Sequence, residues 1–137
     1  MGIESLIKHV CDSVYAVSNE LRTGFLESVY QNALCIELKS KGIKCEQEVP
    51  ITVTYKGAAV GFFRADIIVE DSLILEIKVV DEIIKAHEYQ LVNYLTASGI
   101  DNGLLINFKG PKIDIRRKYR VFNRGIQDSE AMEKFNL

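Results

Sequence analysis

The chain reads as an α/β protein with a mixed sheet, and three observations predict it. Short segments rich in β-branched and aromatic residues follow one another between positions 51 and 80, as in an antiparallel meander. A helical pattern of about fifteen residues then separates the apolar run 73–80 from a second buried-strand run at 103–108. Strand, helix and strand in that order make a crossover, which is right-handed and returns parallel to the strand it left.

Each element follows from its own pattern. Ile3, Leu6, Ile7, Val10, Val14, Val17 and Leu21 recur at helical spacing, so the first twenty residues form one amphipathic helix, interrupted at Thr23-Gly24. A second helix is predicted over 26–41, with Thr23 near its cap and Gly42 as its stop. Extended segments are expected at 51–55, 58–62, 64–70 and 73–80, the first two joined by a Lys56-Gly57 turn. A third helix spans 83–98 and ends at Gly99. After the run 103–108, Ile113, Ile115, Tyr119 and Val121 mark a further extended piece. The tail 127–137 reads as a short helix or a frayed end.

At 137 residues the whole of 1–137 is expected to be one domain, without repeats, low-complexity stretches or linkers. A composition 47% hydrophobic and 26% charged suits a globular protein. No apolar stretch reaches the roughly 18 to 20 residues that span a bilayer, and 1–10 contains Glu4 and lacks a secretion pattern. A cytoplasmic location is therefore expected. Cys11, Cys35 and Cys45 form no CxxC pair, and their odd number argues for packing rather than for a disulfide framework.

The net charge of −2 hides an asymmetry. Between Lys109 and Arg124 seven basic residues face only Asp114, a local +6 that leaves −8 for the rest. Lys109, Lys112, Arg116, Arg117 and Lys118, along which a polyanion could lie, are candidate nucleic-acid contacts, and Arg64 is a sixth. The same residues could equally guard an edge strand against aggregation.

Charge inside the meander is more specific. Asp66 lies ten positions before Glu76, and Glu76-Ile77-Lys78 places an acid and an amine two residues apart in apolar sequence. A hard cation such as Mg²⁺ or Mn²⁺ takes one or two carboxylates with carbonyls and water, and it stabilises charge on a phosphoryl oxygen. Glu76 and Lys78 share a face because strand side chains alternate. Asp66 joins them only if the hairpin loop has an odd number of residues, most simply Glu70-Asp71-Ser72. Asp66 then faces Glu76, Ile68 faces Ile74, and Arg64 faces Lys78. A two-residue turn sends Asp66 to the other face unless a bulge intervenes. The alternative is a surface hairpin whose charged face is merely wet.

Helices add four candidates. Projection of the second helix puts Glu27 on the stripe of Tyr30, Leu34 and Leu38, facing the sheet, although an acid in a first turn also suits the helix dipole. In the third helix His87, Gln90 and Tyr94 fall at i, i+3 and i+7, where their polar tips could reach the site. A lone histidine on such a face is more often a hydrogen-bonded core residue than a ligand, and without a second His or Cys no zinc site is expected.

The run Gly24-Phe25-Leu26-Glu27-Ser28-Val29-Tyr30 resembles the signature of the GxxExxY family. Arg64-Ala65-Asp66, Glu76-Ile77-Lys78, His87 to Tyr94 and Leu104 to Phe108 follow in that family's order, so the similarity covers about 7–120. That family is placed in the PD-(D/E)XK nuclease superfamily, and the resemblance implies a restriction-endonuclease-like core, a four-stranded mixed sheet flanked by helices. It implies Asp66 and Glu76 as metal ligands with the Ile77 carbonyl as a third, and Lys78 as the catalytic lysine. Glu27 would be the helix-borne acid completing the site, and Gln90 with Tyr94 a supporting element. Ala65 stands where the superfamily's name has proline, and Arg22-Thr23-Gly24 replaces the more usual Gly-Pro-Gly. The expected activity is Mg²⁺- or Mn²⁺-dependent hydrolysis of phosphodiester bonds, in DNA first. Dimerisation would present two sites to two strands. The competing expectations are a catalytically silent nucleic-acid-binding or protein-interaction module on the same fold, or a domain regulating a neighbouring enzyme.

Overall fold

The computed structural model describes residues 1–121; Arg124 and the tail 127–137 lie outside the described residues. Helices α1 (Ile3–Leu21) and α2 (Glu27–Ser40) lead into strands β1 (Cys45–Tyr55), β2 (Ala58–Val69) and β3 (Leu73–Lys78). Helix α3 (Lys85–Ser98) and strands β4 (Asn102–Asn107) and β5 (Asp114–Tyr119) follow. The five strands lie side by side in chain order, β3 parallel to β4 and all other neighbours antiparallel. The α/β architecture with a mixed sheet flanked by helices is the one predicted, with one more strand than the four-stranded core that the family resemblance implies.

The sheet is sandwiched. On one face α1 and α2 pack Leu6, Val10, Val14, Tyr30, Leu34 and Leu38 against Ile67, Leu73, Leu75, Ile77, Leu104 and Ile106. On the other, Leu91, Tyr94 and Leu95 of α3 cover Ile68, Ile74 and Leu105. β3 is thus apolar on both sides, as a strand between two helical layers must be. α3 comes so close that a Cβ on Gly103 of β4 would stand 2.9 Å from Leu91 Cδ1. Among the described residues no helix is long and apolar enough to cross a membrane.

Three local expectations are corrected. The segments 58–62 and 64–70 form one strand, because β1 begins as early as Cys45 and pairs along nearly all of it. The N-cap of α2 is Leu26, not Thr23. The Tyr30 hydroxyl donates to the Arg22 carbonyl at 2.6 Å and accepts from the Phe25 N–H at 3.4 Å, so the loop is tied down before the helix begins. Gly24, at φ 113°, supplies the turn that this requires. Finally, Cys35 of α2 and Cys45 of β1 are joined in a disulfide; only Cys11 is free. Parity of cysteines does not see that a helix end and the next strand's start lie side by side.

One departure from regularity positions everything below. Ala65 and Ile67 are two apart and should share a sheet face. Yet Ile67 belongs to the α1/α2 core and Ala65 to the α3 core. β1 does the same: Cys45 belongs to the first core and Ile51 to the second. The hairpin therefore rotates between these positions, at Asp66 and at Glu48, which its neighbours' register sets opposite Asp66. Glu48 takes φ 52° there, a conformation costly for any residue but glycine.

Candidate functional site

Register decides whether the predicted residues can meet. Ile67 pairs with Leu75, Ile68 with Ile74 and Val69 with Leu73, so the loop is the odd-numbered Glu70-Asp71-Ser72. Its first two residues adopt φ 51° and 53°, and the Ser72 N–H donates to the Val69 carbonyl at 2.9 Å. Asp66 and Glu76 are the next pair along, and there the ladder stops. The side chains complete it instead. Glu76 Oε1 accepts the Asp66 N–H at 3.2 Å, and Asp66 Oδ2 accepts the Ile77 N–H at 2.8 Å. Two opposed carboxylates repel, and the strands part at this point. The expected pairing of Arg64 with Lys78 is consequently absent from the ladder. Arg64 is exposed, whereas Lys78 is half-buried at the end of β3.

The exit of β3 is clamped. Buried Asn107, in register with Lys78 on the parallel neighbour, donates to the Val80 carbonyl at 2.8 Å and accepts the Val80 N–H at 3.1 Å. Both peptide groups of Val80 are thereby fixed, and with them the strand end that carries Lys78. The amine of Lys78 makes no hydrogen bond or ion pair among the described residues, although it acts on the charges of Asp66, Glu76 and His87.

The acids are held out of water. Glu76 is only 4% exposed. Burial first, and then the charge of Asp66, push its carboxyl up to about 9. Asp66 is raised as well, chiefly by burial, with Glu48 and Glu27 adding to the effect and the Ile77 N–H opposing it. Glu27, in the first turn of α2 and half-buried, thus lies within the field of Asp66 as the helix projection expects. Tyr94 is buried, and its hydroxyl is raised by burial and then by Glu76 and Asp66. His87 Nδ1 accepts the Ile84 N–H at 3.1 Å; burial and Lys78 lower its pKa, so the ring is a neutral cap at the start of α3. Gln90 is exposed and makes no hydrogen bond among the described residues.

One acid was not anticipated. Glu48 reaches the site from β1, and buried Gln31 of α2 holds it: Gln31 Nε2 donates to Glu48 Oε1 and to the Asp66 carbonyl, each at 3.1 Å. No spacing in the sequence points to it, since its place depends on the pairing of β1 with β2. The basic segment is also placed. β5 is an edge strand. Arg116 pairs with Asp114 and Glu88, Arg117 with Glu4, Lys118 with Glu88 and Lys109 with Asp81. Of the six candidate contacts only Arg64 and Lys112 have no partner among the described residues.

Whether these residues suit a cation follows from donor chemistry. Among the described residues no three His, Cys, Asp or Glu side chains are grouped to hold a metal ion. Mg²⁺ asks for less, one or two carboxylates with water and carbonyl oxygens completing six positions. Half-buried Asp66 and buried Glu76, side by side, offer two carboxylates to such an ion once Glu76 is ionised, with the Ile77 carbonyl on the same strand.

A mixed sheet whose parting central strands carry two acids and a lysine, with a helical glutamate alongside, defines the restriction-endonuclease-like fold. The sequence model of the PD-(D/E)XK nuclease superfamily matches residues 4–118, and the chain belongs to that superfamily. Among solved structures, the crystal structure of SSO0001 is similar to 97% of this chain with a TM-score of 0.59 and 23% identity. The chain spans 66% of that protein's length. The likeness concerns the fold alone. No curated protein matches the chain.

Proposed function

We propose that the chain is a nuclease that hydrolyses phosphodiester bonds in DNA with the aid of Mg²⁺ or Mn²⁺. The observation that carries this is the hairpin register: it brings Asp66 and Glu76 together with Lys78 at the parting of β2 and β3. Asp66, Glu76 and the Ile77 carbonyl would hold the ion, with Glu27 completing its surroundings. When bound, the ion supplies Lewis-acid stabilisation of the phosphoryl oxygens and acidifies water. Lys78, with no competing partner among the described residues, orients the attacking water in line with the leaving oxygen and offsets the charge that develops on phosphorus-bound oxygen. Tyr94 closes the α3 side of the site and excludes water from behind the acids. Gln90, one turn earlier, lies at the rim.

Within the superfamily we assign the chain to the GxxExxY family, whose motif has a physical reading here. Gly24 makes the turn, Tyr30 ties the loop to Arg22, and Glu27 is delivered between them. A homodimer would offer two such sites to two strands, and a cytoplasmic location fits a DNA substrate.

The test is incubation with supercoiled, linear and single-stranded DNA and with RNA, in Mg²⁺, Mn²⁺ or EDTA, beside Glu76→Ala and Lys78→Ala. Metal-dependent cleavage lost in both variants is the expected result. A specific observation favours the second reading, a catalytically silent binding or interaction module: the acid oxygens are already engaged by main-chain N–H groups. No cleavage under any condition, with nucleic-acid binding that persists in EDTA and in both variants, decides for that reading.

A further inference from the structure

The β1–β2 hairpin continues beyond the sheet. β2 pairs with β3 only through Ile67, Ile68 and Val69, so residues 58–65 and their β1 partners form a two-stranded arm. One face of the arm is partly covered. Phe63 packs on Tyr94 of α3 with ring centroids 5.1 Å apart, and Ala65 and Ile51 are buried in the α3-side core. The opposite face carries Phe62 and Arg64, with Thr52 across from Phe62 and Pro50 across from Arg64. All of these are exposed, Phe62 at 76%.

Charge says what this face suits. Arg64 has no ion pair or hydrogen bond among the described residues, whereas Arg116, Arg117 and Lys118 of β5 are each bound to an acid. A cation already neutralised by its own chain gains little from a phosphate, while an unpaired one releases counterions when it meets one. Beside Arg64 stands an exposed aromatic ring, the complement of a base's π-face. Two residues beyond Arg64 the strand reaches Asp66. Phe62 lies about 13 Å from Asp66 along β2 at ~3.3 Å per residue, the span of a few nucleotides of extended strand.

We propose that this face of the arm binds an unpaired nucleic-acid strand, Phe62 stacking on a base and Arg64 pairing with a backbone phosphate, and leads that strand to Asp66 and Glu76. The substrate class is accordingly single-stranded nucleic acid or the unpaired portion of a branched or frayed duplex. In a continuous duplex the π-faces are buried in the stack and out of Phe62's reach. The inference rests on the nucleic-acid reading above but not on catalysis.

The test is fluorescence anisotropy with a labelled single-stranded oligonucleotide and a blunt duplex of the same sequence, in EDTA so that no cleavage occurs. Wild type is expected to prefer the single strand. Phe62→Ala should weaken that binding about ten-fold while leaving duplex affinity nearly unchanged. Arg64→Ala should lower the slope of log affinity against log salt by about one. Lys39→Ala, on the exposed last turn of α2, serves as the control and should change neither. Phe62 is exposed, so its truncation should leave the melting temperature in place, and circular dichroism checks this. Equal affinity for both oligonucleotides, or a Phe62→Ala protein that binds the single strand as wild type does, overturns the proposal. So does a Phe62→Ala protein that merely turns from dimer to monomer with unchanged oligonucleotide affinity, which would make the face a contact between copies. Failure to cleave any substrate, with single-strand binding still dependent on Phe62, would remove the nuclease reading and leave this one standing.

Discussion

Two charged regions of this molecule, the parting of β2 and β3 and the edge strand β5, differ in sign and behave oppositely. On β5 the cations are numerous, half-buried along the strand and satisfied: Arg117 reaches Glu4, and Arg116 and Lys118 converge on Glu88. At the parting of the strands like charges stand together. Asp66, Glu76, Glu48 and Glu27 lie near one another with Lys78 unpaired beside them. A dense run of charge that settles its own account within the fold stabilises it. A set of acids gathered around buried Glu76 and left in deficit stores interaction free energy for something outside the chain.

The sharpest way to break this comparison is to remove one charge from each region. Lys78→Ala should lower metal-dependent cleavage by about 100-fold or more, the scale of losing a group that acts on transition-state charge. Arg117→Ala should lower it less than about three-fold, because its guanidinium is engaged with Glu4 and Asn102. Comparable losses in initial-rate measurements on the two proteins would erase the distinction.

The second effect is on stability and has a definite sign. Glu76 holds its proton in the folded state up to about 9, whereas in the unfolded chain it ionises near its ordinary 4.5. Between those values the folded state binds the extra proton, so without metal the stability should fall as pH rises from about 5 to 9 and level off outside that window. Thermal melts in EDTA should show a loss of several degrees across it, and Glu76→Gln should flatten the curve. A divalent cation needs the ionised acid, so the melting shift produced by Mg²⁺ should grow over the same range. A metal-free melting temperature that rises with pH, and falls to the flat curve in Glu76→Gln, would contradict the assignment.

Smaller again is the cost of disturbing the support. Gln31→Leu removes the amide that satisfies Glu48 and the Asp66 carbonyl, and urea midpoints should report a loss of about 1–3 kcal/mol. Least of all in stability, about 1 kcal/mol, is Glu88→Gln. It takes one acid away from Arg116, which keeps Asp114, and from Lys118, and should raise salt-sensitive binding to duplex DNA about two-fold.

Much of this was legible in the chain. The helix periods, the crossover and the condition on loop parity depend on local spacing, and the loop Glu70-Asp71-Ser72 satisfies that condition. What spacing does not contain is pairing across distance. Glu48 enters the site only because β1 runs six residues further back than its β-branched stretch, and because the register sets it opposite Asp66. The Cys35–Cys45 bond and the neutralisation of β5 by Glu4 and Glu88 have the same origin. Charge can be counted in a sequence, but the partner that cancels it comes from the fold.

The rotation of the hairpin at Glu48 and Asp66 makes the acids report on both hydrophobic layers at once. On the sheet side of the pivot Cys45 and Ile67 are gripped by α1 and α2, and on the arm side Ile51 and Ala65 are gripped by α3. The angle between the two grips sets where the Asp66 carboxylate points. Repacking either layer should therefore turn the acid like a key, which couples catalytic alignment to side chains such as Leu34 or Leu91 that never approach the substrate.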